Sequence, residues 1–204
     1  SGHKVWVASL ARSQQEYDEC AGIGDYCHAH KIAMVDEWKQ WLRMIVRLPL
    51  VTPSSMGYFF SQDLKQQIDS WLQQESFDAI FVHCSSVAQY VEDVKGIPKI
   101  LDFGDMDSEK WLSYRSFKPF PLGLGYWWEG NKMAMAEKRL AAKFDMATCT
   151  TKAELETLND LQSAKRTEWF PNGVDAEFFK PDGQSYGSNS ISFIGRMDYF
   201  PNQQ

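Results

Sequence analysis

The run Phe77 to His83 is short, nearly all apolar and without alternation, which suits a parallel strand covered on both faces and constrains the rest of the fold. Runs of the same kind recur at Val5 to Leu10, Lys31 to Val35, Pro98 to Asp102, Asp145 to Cys149 and Arg166 to Phe170. Between them lie segments with helical spacing. One is Glu37 to Arg47, one opens at Ser61 and carries Leu64, Ile68, Trp71 and Leu72, and one carries Val87, Tyr90, Val91 and Val94. The longest is Tyr126 to Phe144, and the last opens at Thr151 with a Thr-x-x-Glu capping box before Leu155, Leu158 and Leu161. Strand alternating with helix predicts the α/β class, a parallel sheet with helices on both faces. Ser116 to Gly125, with Phe117, Pro119, Phe120, Pro121, Gly123 and Gly125, reads as a rigid loop that is not helix; its aromatics meet a ligand or plug the core edge.

Open parallel sheets collect ligands beyond the C-terminal ends of their strands. His83 stands at such an end, followed by Cys84, Ser85 and Ser86. It is either a site residue or a strand-ending histidine bonded to a loop. The strand Pro98 to Asp102 empties into Asp105, Met106 and Asp107. Paired carboxylates there suit a divalent cation held against a nucleotide diphosphate, while Asp107 just before a helical stretch suits an N-cap; the cap is the better reading of Asp107. Glu137 falls on the apolar stripe of the longest helix, between Met133 and Ala141, and needs a partner there. A buried ion pair is favoured over a site role. Cys20, Cys27, His28 and His30 match no standard zinc spacing, and the four cysteines read as reduced thiols.

With 204 residues the chain can hold one sizeable doubly wound domain and part of another. No apolar run is long enough to span a bilayer, and no signal peptide is visible. Both termini look like boundaries within a longer protein. A net charge of -6 argues against nucleic acid as the main partner. In Glu37 to Arg47, Trp38, Trp41, Leu42, Ile45 and Val46 form one apolar face beside Lys39, Arg43 and Arg47. A core-packed helix is the preferred reading, and peripheral contact with an anionic membrane is the other.

The end of the chain carries a sharp turn at Pro171, Asn172 and Gly173, a polar spacer over 182–189, and an apolar run Ile191 to Ile194 that breaks at Gly195 before Arg196. A strand ending in glycine lets a ligand approach the backbone, and the arginine can pair with phosphate. The combination NGVD..FF.P followed by I.F.G.MDY.PN resembles the domain crossing of family 4 glycosyltransferases, of two-Rossmann GT-B architecture. The variant most like it is the sugar transferase group of exopolysaccharide and exosortase systems. The stretch DF.DMDS.KW looks like that group's signature loop, and Glu129 and Gly130 match its "EG" position.

The resemblance implies a Rossmann-like acceptor-side domain over 1–175 lacking its first strand, a linker over 176–190 and the start of a donor-binding domain over 191–204. It implies a retaining transfer, in the cytoplasm, from a nucleotide-sugar donor to a sugar or lipid-linked hydroxyl acceptor, with no metal or other cofactor. His83 and Asp105 are then the acceptor-side candidates. Asn172, Gly173, Gly195 and Arg196 are the donor-side candidates, and the chain alone is expected to be inactive. A non-catalytic binding module and a sugar-nucleotide epimerase of the same architecture are the rival readings.

Overall fold

The computed structural model describes residues 2–180 together with Gly183, Asn189, Ile191 and Gly195. The chain forms two compact units, Ser1–Pro171 and Asn172–Gln204. The first is α/β, and its strands pair in parallel in two sheets. β1 (Trp6–Ala11) pairs with β2 (Ala29–Met34), and β3 (Ile80–His83), β4 (Lys99–Asp102), β5 (Met146–Cys149) and β6 (Thr167–Trp169) follow one another in the second. α1 (Gln14–Glu19) lies between β1 and β2; α2 (Glu37–Arg47), α3 (Ser54–Tyr58) and α4 (Gln62–Gln74) precede β3. α5 (Asp107–Arg115) and α6 (Leu122–Lys143) connect β4 to β5, and α7 (Lys152–Asp160) connects β5 to β6. Leu101, Leu140, Phe144, Ala147 and Leu158 are fully buried between sheet and helices.

Local signals in the sequence explain several helix starts. The hydroxyls of Ser61 and Thr151 accept the backbone N–H of Leu64 and Glu154, capping α4 and α7. Other elements differ from the sequence expectation. The Val87 to Val94 spacing predicts a helix, but the chain makes only a 3-10 turn, Ser85–Tyr90. Lys99 Nζ takes the carbonyls of Val91 and Glu92, at 3.5 and 2.8 Å, that a continued helix would use. α6 starts at Leu122, inside the stretch read as loop. Gly123 permits this, because a Cβ there would lie 2.9 Å from the Lys118 carbonyl oxygen.

α5 begins at Asp107 with Met106 in the cap position, so neither Asp107 nor Ser108 caps it. The cap comes from another helix. Glu137 Oε1 accepts the Ser108 N–H at 2.9 Å and Oε2 bonds the Ser108 hydroxyl, while the Glu154 carboxylate takes the Met106 N–H at 3.0 Å. Glu137 therefore caps the start of α5 by hydrogen bonds rather than pairing with a cation. It is fully buried, and burial pushes its carboxyl from the ordinary 4.5 up to about 7. The folded chain then holds this proton more tightly than the unfolded chain. The resulting stability is fully present below about pH 4.5 and is lost as pH rises through about 7. A shift of this size corresponds to roughly 3 kcal/mol. Glu137→Gln is expected to raise the melting temperature at pH 8 and flatten its pH dependence between 4.5 and 7; thermal unfolding at several pH values checks this.

α2 is the reverse of the core-packed helix that its periodicity suggests. Gln40 is buried, and Arg43, Met44 and Arg47 are half-buried on the same face. Gln40 Nε2 and Arg43 Nη1 both donate to the Phe60 carbonyl, and the Arg43 guanidinium lies 5.3 Å from the Phe60 ring centroid. The apolar stripe faces outward: Trp38 is 87% exposed, and Trp41, Leu42, Ile45 and Val46 are exposed with it. No helix among the described residues is long and apolar enough to cross a membrane.

In the second unit, Asp175 makes the turn. Its Oδ1 accepts the N–H of Glu177 and Phe178, both at 3.0 Å, and its carbonyl accepts that of Phe179. The turn residues Asn172 and Gly173 tolerate left-handed backbone, but neither has positive φ. Ser192 to Ile194, the body of the expected strand, lie outside the described residues, as does Arg196.

Candidate functional site at the carboxyl edge of the second sheet

Parallel pairing brings His83, Asp102 and Thr148 into one row across β3, β4 and β5, with His83 opposite Asp102 and Asp102 opposite Thr148. Their side chains are joined in that order. Thr148 Oγ1 donates to Asp102 Oδ1 at 2.9 Å, and Asp102 Oδ2 lies 2.7 Å from His83 Nδ1. Asp102 and Thr148 are buried, whereas the His83 side chain is 62% exposed. Since the threonine hydroxyl donates to the carboxylate, the other oxygen is left to accept Nδ1–H. That arrangement fixes the ring and leaves Nε2 as a solvent-facing acceptor.

The loops above the row follow from the same pairing. Cys84 N–H donates to the Asp102 carbonyl, Phe103 N–H to that of Thr148, and Thr150 N–H to that of Gly104. Gly104 has φ +68, a left-handed backbone that favours glycine, and it lies beside the imidazole, where a Cβ would make ordinary contact with His83 Cε1 at 3.5 Å. Asp105 is exposed just beyond β4 and lies 3.4 Å from the Thr150 hydroxyl, whose shorter bond, at 3.2 Å, goes to the Gly104 carbonyl. Asp107 accepts from the Ser85 hydroxyl at 2.9 Å. His83 and Asp105 thus belong to neighbouring strand ends of one edge.

Cys84 shares this edge, but burial and then the charges of Asp107 and Asp102 hold its thiol above the ordinary range. It is a thiol and not a ready nucleophile. Among the described residues no group of three or more histidine, cysteine or carboxylate side chains converges as a metal would require. Carboxylates outnumber cations here, so the edge suits hydroxyl groups better than phosphates. The other candidates are apart in sequence: Asn172 and Gly173 open the second unit, and Gly195 is an exposed bend within it.

Sequence reasoning misses Asp102 and Thr148. The signal present is a polar residue closing an otherwise apolar strand, but only strand register connects it to His83. Glu129 and Gly130 serve packing. Glu129 Oε1 accepts the Ser55 N–H at 2.9 Å, its Oε2 lies 2.8 Å from Lys132 Nζ, and a Cβ on Gly130 would meet Leu112 of α5 at 2.8 Å.

Residues 1–178 match the sequence profile described as Glycosyltransferase Family 4. No curated protein is significantly similar to the chain.

Proposed function

The chain belongs to Glycosyltransferase Family 4, and from that membership we propose a retaining GT-B transferase that moves a sugar from a nucleotide-diphosphate donor to a hydroxyl acceptor in polysaccharide or glycolipid synthesis. The observation that carries the residue assignment is the Thr148, Asp102, His83 relay ending in an exposed Nε2. In this reading the acceptor hydroxyl donates to His83 Nε2. Its oxygen forms the new bond to the anomeric carbon on the same face from which the diphosphate leaves, as retention requires, the bond from that carbon to the diphosphate breaks, and the nucleoside diphosphate departs with the electron pair. The hydroxyl proton passes to His83. Asp102 orients the ring and stabilises its charged form, and Asp105 orients the acceptor from the next strand end.

The departing diphosphate requires cations or backbone N–H groups. On this reading they come from the stretch beyond Pro171, with Asn172, Gly173, Gly195 and Arg196 as candidates, and from no residue of the carboxyl edge. No metal or other cofactor enters the scheme. A lipid-linked acceptor would place the enzyme at the cytoplasmic face of a membrane in peripheral contact. The loop and crossing motifs favour the exopolysaccharide group as its pathway.

Three measurements test this. A panel of nucleotide sugars should reveal transfer by the active enzyme, and Asp105→Asn should lower turnover with little change in melting temperature. A stability loss with normal specific activity would assign Asp105 to the fold. Calorimetry of the 204-residue chain with UDP and GDP should give dissociation constants near millimolar, about 4 kcal/mol of binding. A micromolar value would place the donor site within this chain.

A further inference from the structure

We propose that the outward face of α2, together with the turn between α5 and α6, docks onto a bilayer containing anionic phospholipid; the proposal rests on the lipid-linked form of the acceptor reading. α6, which follows that turn, is bonded to the chain just after α2. Trp128 Nε1 and Lys132 Nζ of α6 both donate to the Leu48 carbonyl just after α2, at 2.9 and 3.5 Å. In 38–51 the exposed large apolar residues include Trp38, Trp41 and Val51, and in 115–128 they include Phe120, Leu122 and Trp128. Phe120 is 86% exposed. Neither segment contains an aspartate or glutamate, and Arg115 and Lys118 add positive charge at the α5–α6 turn in a chain of net charge -6. Lys39 is paired with Asp36, while Arg43 and Arg47 lie on the inner face of α2.

An exposed apolar surface of this extent marks an interaction site. The inverted helix sharpens the point. Gln40 and Arg43 hold α2 to the body of the unit by hydrogen bonds, so its tryptophans remain on the outside. Tryptophan and phenylalanine with flanking lysine and arginine match the interfacial zone of a bilayer, where aromatic rings enter the headgroup region and long cationic stems reach phosphates. Arg115, Lys118, Phe120, Gly123 and Leu124 line a cavity of about 260 Å³. Its two cations beside apolar walls suit a lipid phosphate with the adjoining acyl region. A second copy of the chain is a poorer occupant, because a symmetric contact would bring the same cations together. The anionic remainder of the chain is repelled by an anionic membrane, which orients the molecule with this face toward it.

The test is sedimentation of the chain with vesicles of phosphatidylcholine, alone and with added phosphatidylglycerol, at low and high salt. Binding is expected to be about tenfold or more tighter with phosphatidylglycerol and to weaken with salt. The surface variant Trp38→Ser/Trp41→Ser should keep its melting temperature and lose about tenfold or more in binding to both vesicle types. Arg115→Gln/Lys118→Gln should remove the preference for phosphatidylglycerol. Unchanged binding by the tryptophan variant overturns the proposal. So does a chain that ignores vesicles and dimerises through this face in sedimentation equilibrium. The catalytic reading is judged separately, with the two tryptophan substitutions placed in the active enzyme, by transfer to a soluble acceptor without vesicles, which should proceed at the wild-type rate.

Discussion

On the proposed role of His83, Asp102→Asn is expected to lower turnover of the active enzyme by about 10²- to 10⁴-fold, the range associated with losing a correctly held acid–base group. The reason lies in the hydrogen-bond row. The Thr148 hydroxyl donates to Asp102 Oδ1, so the amide oxygen of asparagine takes that place and its NH2 faces His83. Nδ1 must then accept, the ring proton moves to Nε2, and the acceptor hydroxyl meets a donor where it needs an acceptor. Asparagine fills the same volume in a buried position and keeps the threonine bond, so the fold should change little. The check is kcat together with thermal unfolding. Thr148→Val should show a smaller loss in the same direction, because the carboxylate stays charged but is held by one bond fewer.

Lys132→Ala lowers stability by about 3 to 5 kcal/mol, the loss expected when one member of a buried ion pair is removed. For a chain of this size that is roughly a 10 °C fall in melting temperature. Lys132 has no exposed surface. Its Nζ lies 2.8 Å from Glu129 Oε2, donates to Ser54 Oγ at 2.9 Å, and reaches the carbonyls of Arg47 and Leu48 at 3.3 and 3.5 Å. One ammonium thus fastens the end of α2 and the start of α3 to α6. Removing it leaves a carboxylate and two carbonyls without their cation. Replacing both members, as Glu129→Gln/Lys132→Met, should be less damaging than Lys132→Ala, because no buried charge is left alone. Equal losses in the single and double variants would mean that packing, rather than charge, accounts for the effect.

Features set by near neighbours along the chain are legible in the sequence itself. The capping hydroxyls of Ser61 and Thr151 sit three residues from the N–H groups they accept, so local spacing is enough. The parallel α/β class follows from short apolar runs between helical ones. His83 is visible as a strand end, but its partner lies 19 residues away and depends on the pairing of β3 with β4. Glu137 is recognisable as a carboxylate needing company; that the company is the start of α5 depends on how α5 and α6 cross. Periodicity finds the apolar stripe of α2 but carries no information about which side of a helix meets water. The contacts of Gln40 and Arg43 with the Phe60 carbonyl decide that, and they turn the stripe outward.

The central claim is that His83, held by Asp102, acts on the acceptor and not on the donor. The most direct measurement is the kinetics of His83→Ala in the active enzyme, with the rate of transfer and the KM for the nucleotide sugar determined side by side. A fall in kcat of about 100-fold or more, with the donor KM within about twofold of wild type, is the predicted result. An unchanged kcat, or a loss carried entirely by the donor KM, would contradict the account.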